Sequence, residues 1–154
     1  MSGSPRWLSP EEQHAWRAYL ESTKVLFDAL DRQLQRDADM PHAYYEILVR
    51  LSEAPDRAMR MSDLAESTLS SRSRLSHAVA RLEERGWLAR RDCPTDRRGQ
   101  IAELTDVGMQ VLTDTAPKHV ESVRTLMIDA LSAEQLAQLA QISEVISARV
   151  ADAS

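Results

Sequence analysis

One stretch constrains the fold more than any other part of the chain. It runs from Ser62 to Thr105, SDLAESTLSSRSRLSHAVARLEERGWLARRDCPTDRRGQIAELT. Ser62 is placed to cap a short helix over 63–68, with Leu64, Ala65 and Leu69 facing inward. Thr68 to Ser71 forms a turn. A second helix runs from Arg72 to Arg85 and stops at Gly86, a residue free to take the left-handed conformation of a helix C-terminus. Trp87–Cys93 and Gln100–Leu104 read as two hairpin strands around the loop Pro94–Gly99. The rest of the chain has to hold and pair this unit.

The second helix is divided by chemistry. Leu75, Ala78, Val79 and Leu82 share one face, while Ser73, Arg74, Ser76, His77, Ala80 and Arg81 spread over the other. That outer face has no long apolar side chain and no acid, since Glu83 and Glu84 stand at the C-terminal end. Short hydrogen-bonding groups and arginine on an apolar-backed helix suit the base edges of a DNA major groove. The half from Ser71 to His77 is therefore expected to enter the groove, with Arg72 and Arg74 reaching guanine edges or phosphates. At the hairpin tip, Asp96 lies two residues before Arg98, a spacing that lets a carboxylate brace a guanidinium aimed at a narrow minor groove. Arg97 falls on the other side of the ribbon, toward phosphate, and Gly99 is read as permitting the tight turn.

Net charge supports this partition. The chain carries -5 overall, yet Arg57 to Arg98 holds ten Arg against six acids, net +4, and the remainder is net -9. A basic lobe on an acidic body is the electrostatic form of a nucleic-acid reader.

The flanks are helical. Ser9-Pro10-Glu11-Glu12 is a capping box with Pro at the first helical position, opening a helix that continues to about Arg36. Trp16, Tyr19, Leu20, Thr23, Leu26, Phe27, Leu30 and Leu34 recur at three- and four-residue spacing, which predicts a stripe buried along its whole length. A helix this long needs a partner. Pro41 opens a second helix, HAYYEILVRLSE, that Pro55 ends. Beyond the hairpin, Thr105 caps a helix over about 106–130 that Pro117 is expected to bend or split. Ser132 to Gln135 is another capping box, before a stripe of Leu136, Leu139, Ile142, Val145, Ile146 and Val150.

Ser71 to Gly86, followed by CPTDRRGQIAELTDVG from Cys93 to Gly108, resembles the MarR family of bacterial transcriptional regulators, whose wing carries D-x-R or DRR, then a strand and L-T-x-x-G. The resemblance spans nearly the whole chain. It implies a mostly α fold with a small β-hairpin wing (α+β): a winged helix-turn-helix lobe over 41–105, with terminal dimerisation helices over 9–36 and 106–152, in one domain. It also implies a homodimeric repressor on a palindromic operator. Ser73, Arg74, Ser76 and His77 would then take the base-side positions, Arg98 the minor groove and Asp96 the brace. A further implication is release by a small aromatic or phenolic ligand, for which Trp16, Tyr19, His42, Tyr44, Tyr45 and His119 are candidates. Each has core packing as its alternative, the commoner role of an aromatic at helical spacing. Here the recognition helix is richer in Arg and Ser than the Thr and Val common in relatives, so the operator sequence does not carry over.

Other classes fare worse. At 154 residues the chain supports one real core. No apolar run reaches membrane-spanning or signal-peptide length, which with one cysteine points to the cytoplasm. The four His are not spaced as a metal-ligand pair, no cofactor is implied, and no nucleophile motif or phosphate loop indicates an enzyme. A helical interaction module that uses a winged helix without reading DNA is the alternative. Cys93, near Arg90, Arg91 and Arg97, is either an oxidant-sensing thiol of the kind some relatives use or an unreactive strand residue, the latter preferred.

Overall fold

The computed structural model describes residues 5–153. Residues 1–4, part of the N-terminal stretch read above for a signal peptide, and residue 154 lie outside the described residues. Helix α1 spans Pro10–Ala38. The Ser9 hydroxyl accepts the Glu12 N–H at 3.2 Å and the Glu12 carboxylate accepts the Ser9 N–H at 2.8 Å, the expected capping box. The helix ends at Asp39, which is left-handed with φ 49°. Helix α2 spans His42–Glu53, and Pro41 has no side-chain cap to offer it. Asp31 on α1 supplies one instead, accepting the His42 N–H at 2.8 Å. A carboxylate there satisfies an orphan donor and complements the helix dipole, so the α1–α2 corner is fixed electrostatically.

Strand β1 (Ala58–Arg60), helix α3 (Met61–Ser67), helix α4 (Arg72–Glu84), strands β2 (Leu88–Cys93) and β3 (Asp96–Leu104), and helices α5 (Asp106–Leu126) and α6 (Ala133–Ala151) follow, with short 3-10 turns at Pro55–Arg57 and Ile128–Ala130. The sheet is antiparallel in the order β1-β3-β2, with Ala102 opposite Met59 on one side and Arg90 on the other. The core lies under it: Leu34, Met40, Leu48, Leu51, Leu64, Leu75, Val79, Leu82 and Ala102 are all buried.

Helix α4 ends as expected. Gly86 has φ +74°, its N–H reaches the Glu83 carbonyl at 2.9 Å, and the Trp87 N–H reaches Leu82 at 3.0 Å, the two bonds of a Schellman cap. Several expectations need correction. A three-residue strand, β1, precedes α3; it is too short to show alternation and is held by pairing with β3. Helix α3 begins at Met61, so Ser62 lies inside it and does not cap it; the N-cap residue is Arg60, whose side chain makes no capping bond. Leu69 does not face inward but is almost wholly exposed. The wing loop is two residues rather than six, because β3 begins at Asp96. Pro117 sits inside an unbroken α5, which stops at Leu126.

The α1 stripe is covered only toward its C-terminal end, where Leu30 and Leu34 pack against the body. Trp16, Tyr19, Leu20 and Phe27 are exposed in the single chain. Helix α6 buries none of its residues, leaving Ile142, Val145 and Ile146 exposed.

Candidate nucleic-acid interface

Ser71 caps α4, its hydroxyl accepting the Arg74 N–H at 3.2 Å. No acid stands in the first turn. A helix N-terminus carries positive partial charge, and an acid usually sits there to complement it. This one leaves the charge to an outside anion and adds Arg72 and Arg74. Ser71, Arg72, Ser73, Arg74, Ser76 and His77 are all exposed, as their outward face predicted.

The wing tip is shaped by a bulge. Register passes from Asp92 opposite Gln100 to Cys93 opposite Asp96, so Arg97, Arg98 and Gly99 have no partners on β2. Asp96 braces this bulge, but differently from the expectation: its Oδ1 accepts the Arg98 backbone N–H at 3.0 Å rather than the guanidinium. Gly99 also has another role, since it is not left-handed. A Cβ there would lie 3.0 Å from Asp96 Oδ2 and 3.2 Å from Cys93 Cβ, so glycine serves close approach across the bulge. Arg60, given no role by the sequence, donates from Nη2 to Thr95 Oγ1 at 2.9 Å and ties β1 to the wing turn.

The ten arginines of this lobe separate by partner. Arg57 pairs with Asp106, Arg81 with Glu84, Arg85 with Asp39, Arg90 with Glu83 and Arg91 with Glu103. Arg85 also donates to the Asp39 carbonyl at 2.7 Å and lies 4.9 Å from the Trp87 ring centre. All of these but Arg81, whose partner lies one turn along α4, tie one part of the fold to another. Among the described residues, the guanidinium groups of Arg72, Arg74, Arg97 and Arg98 have no acidic partner, and all four are exposed at the α4 N-terminus and the wing. Arg81, placed on the same face by the sequence, is exposed but held by Glu84 at 3.0 Å, so it reaches an outside phosphate only by opening that pair.

Cys93 is buried, and the cause of its chemistry differs from the one expected. The Thr95 hydroxyl at 3.4 Å leads in holding the thiol below its ordinary value, with the Thr95 backbone next and the Arg60 charge adding to them. Arg90 and Arg91 are taken by Glu83 and Glu103 instead.

The candidate ligand residues are only partly brought together. His119 is buried on α5, 4.4 Å from the Tyr45 ring and 5.7 Å from the His42 ring, which itself meets Phe27 edge-on at 5.3 Å. His42 and His119 are thus spatial neighbours although far apart in sequence. Gln33 Oε1 lies 2.9 Å from His119 Nδ1, and Gln33 Nε2 donates to Asp37 at 3.0 Å. Tyr44 packs half-buried against the core. Trp16 and Tyr19 stack on one another at 6.4 Å on the exposed part of α1. A separate surface cleft lies between α1 and α5, lined by Arg32, Gln33, Arg36, Glu121, Ser122 and Leu126.

Burial, reinforced by the neighbouring His42, holds His119 below its ordinary value of 6.5. Asp31 and Asp37 on α1, His42 on α2 and Lys118 on α5 are the other titrating groups nearby. The unfolded chain takes up a proton near 6.5 that the native state resists, so stability falls as pH drops below about 6.5. Denaturant melts at about pH 7.5 and 5.5 should show the wild type losing more stability than His119→Gln; equal losses would remove His119 as the source.

Comparison with known proteins follows the same geometry. The model of the MarR family matches residues 38–99. The crystal structure of Sco3205, a MarR family transcriptional regulator from Streptomyces coelicolor, in complex with DNA, is 55% identical, covers 93% of this chain and 90% of that one, and superposes with a TM-score of 0.91. The chain belongs to the MarR family. AbsC, another MarR family regulator from Streptomyces coelicolor, is 42% identical over 96% of this chain and 99% of its own, also with a TM-score of 0.91. The transcriptional repressor MprA of Escherichia coli K12 is 30% identical over 67% of this chain. That match spans 58% of MprA, less than two thirds of its length. The winged-helix architecture expected from the MarR resemblance is therefore the architecture of this chain, and its relatives are regulators rather than enzymes.

Proposed function

We propose that this chain is a sequence-specific, double-stranded-DNA-binding repressor that acts as a homodimer on a palindromic operator in the cytoplasm. The observation that carries the reading is the segregation of arginines: five of the lobe's ten are paired with acids within the fold and Arg60 is bound to the Thr95 hydroxyl, while the four with neither, Arg72, Arg74, Arg97 and Arg98, stand exposed at the α4 N-terminus and the wing. Residues 41–105 form the DNA lobe. Residues 9–36 and 106–152 form the dimer region, supported by the exposed stripes of α1 and α6: a 19-residue helix with no buried residue presents apolar side chains for a partner to cover. The complex of Sco3205 with DNA and the name of MprA support the direction of the assignment.

Release by a small aromatic acid is part of the reading. Arg32 offers a carboxylate a partner in the α1–α5 cleft, with Arg36 beside it held by Asp37 at 3.1 Å, and the wall residue Gln33 also holds His119. A ligand seated there bears on α1 and α5 together, the elements that set the spacing of two DNA lobes.

Gel-shift titration against the protein's own upstream DNA tests the reading. Arg98→Ala should bind about tenfold or more weakly. Equal affinity for a specific site would remove the wing from the interface.

A further inference from the structure

We infer that Leu69, in the turn between α3 and α4, is a DNA-contacting residue that packs its side chain on an apolar element of the duplex, either a thymine 5-methyl group or a deoxyribose face. The inference rests on the DNA-binding reading above and adds an apolar contact to an interface otherwise made of cations and hydroxyls.

Leu69 is unusual in two independent ways. It is 96% exposed, more than any other large apolar residue described. Its backbone is left-handed, with φ +50°. Around it the Leu69 N–H bonds the Glu66 carbonyl at 3.1 Å and the Ser70 N–H bonds the Ala65 carbonyl at 2.9 Å, the paired bonds of a Schellman turn. The left-handed position of such a turn suits glycine or asparagine, because a larger side chain brings Cβ against the following carbonyl. A leucine there strains the backbone and places an isobutyl group in water. Among the described residues none covers that side chain. Backbone strain that the fold does not need is characteristic of a side chain used at a binding surface.

Its surroundings name the occupant. Leu69 stands two residues before Ser71, the cap of α4, in the turn that leads into the helix end carrying Arg72 and Arg74. Those cations and the acid-free helix end draw a phosphate backbone to this corner of the molecule. The hydroxyls of Ser67 and Thr68 both donate to the Leu64 carbonyl at 2.9 Å, closing the end of α3 and presenting Leu69 from a fixed backbone. Beside a helix end seated in a major groove, the apolar surfaces within reach are thymine methyl groups and sugars.

The test uses the full chain and the upstream duplex, followed by fluorescence anisotropy, with thermal melts in parallel. Leu69→Asn and Leu69→Gly both fit the left-handed backbone, so both should melt at or above the wild-type temperature. Both should bind about tenfold more weakly, through lost apolar burial on two protomers. Leu69→Met keeps an apolar side chain and should bind within about twofold of wild type. Asparagine restricts the backbone more than glycine, so a loss shared by both variants reflects the missing apolar group rather than a looser turn. Replacing thymine by uracil separates the two surfaces. A methyl contact makes wild type, but not Leu69→Asn, sensitive to uracil; a sugar contact leaves wild type indifferent and Leu69→Asn weak on both duplexes. Wild-type affinity in both the Asn and Gly variants overturns the inference while leaving the DNA reading intact. Failure of the wild type itself to bind overturns that reading, and this contact with it.

Discussion

Alanine at Arg72, Arg74, Arg97 and Arg98 together is expected to abolish operator binding near physiological salt and to flatten its salt dependence. Each phosphate neutralised by a protein cation contributes about 0.9 to the slope of log affinity against log salt. Across a dimer carrying four such side chains per protomer, the slope should fall by up to about 7 if all of them meet phosphate, and by less for any that read bases. These four are singled out by what they lack. Arg90 has comparable charge but gives its guanidinium to Glu83 at 2.8 Å. Arg90→Ala should therefore leave the slope near wild type while loosening the junction of α4 with β2. Anisotropy titrations over a series of salt concentrations read both. If the fourfold variant kept the wild-type slope, or if Arg90→Ala flattened the slope as much as the fourfold variant, segregation of paired from unpaired arginines would have no bearing on DNA binding.

Gly108→Ala is expected to lower stability by about 2–3 kcal/mol, because the new Cβ overlaps backbone rather than a movable side chain. A Cβ at this position would overlap the Trp87 carbonyl oxygen and lie 2.7 Å from Leu104 Cδ1. The Trp87 carbonyl cannot easily retreat, since it accepts the Thr105 N–H at 3.1 Å and its hydroxyl at 3.0 Å. The same hydroxyl accepts the Gly108 N–H at 3.0 Å and so caps α5. One threonine thus fastens the start of α5 to the start of β2, and the glycine lets the helix sit there. At about 2–4 °C per kcal/mol for a domain of this size, the melting temperature should fall by roughly 4–12 °C. Calorimetry checks this; an unchanged melt would mean that α5 slides freely on the sheet. Because α5 joins the wing to the proposed dimer region, the variant should also bind DNA less well at temperatures where this joint opens.

The sequence was most informative where one residue type performs a local task. Ser9 with Glu12, Gly86, Thr105 and Ser132 all mark helix ends, because capping depends on neighbours within a few positions. The apolar back of α4 was equally legible, since Leu75, Val79 and Leu82 follow the helical period and are buried. Features made by distant partners were not. Strand β1 exists through pairing with β3, and the cap of α2 comes from Asp31 on another helix. His42 and His119 meet only because α2 and α5 pack together. The same limit applied to the arginines: sequence placed ten of them in one lobe, whereas only the fold distinguishes those held by Glu83, Glu103 or Asp39 from those left to a ligand. In the wing, the Asp96–Arg98 spacing pointed to the right pair but to the wrong atoms, since a bulge turned the Arg98 N–H toward the carboxylate.

Hydroxyl-radical footprinting of the wild-type protein on its own upstream DNA tests the central claim most directly. Two recognition helices and two wings on a symmetric dimer predict protected patches related by a dyad, with half-site centres about one helical turn apart, and their loss in the fourfold arginine variant. Protection without a dyad, or a footprint unchanged by removing Arg72, Arg74, Arg97 and Arg98, would contradict it.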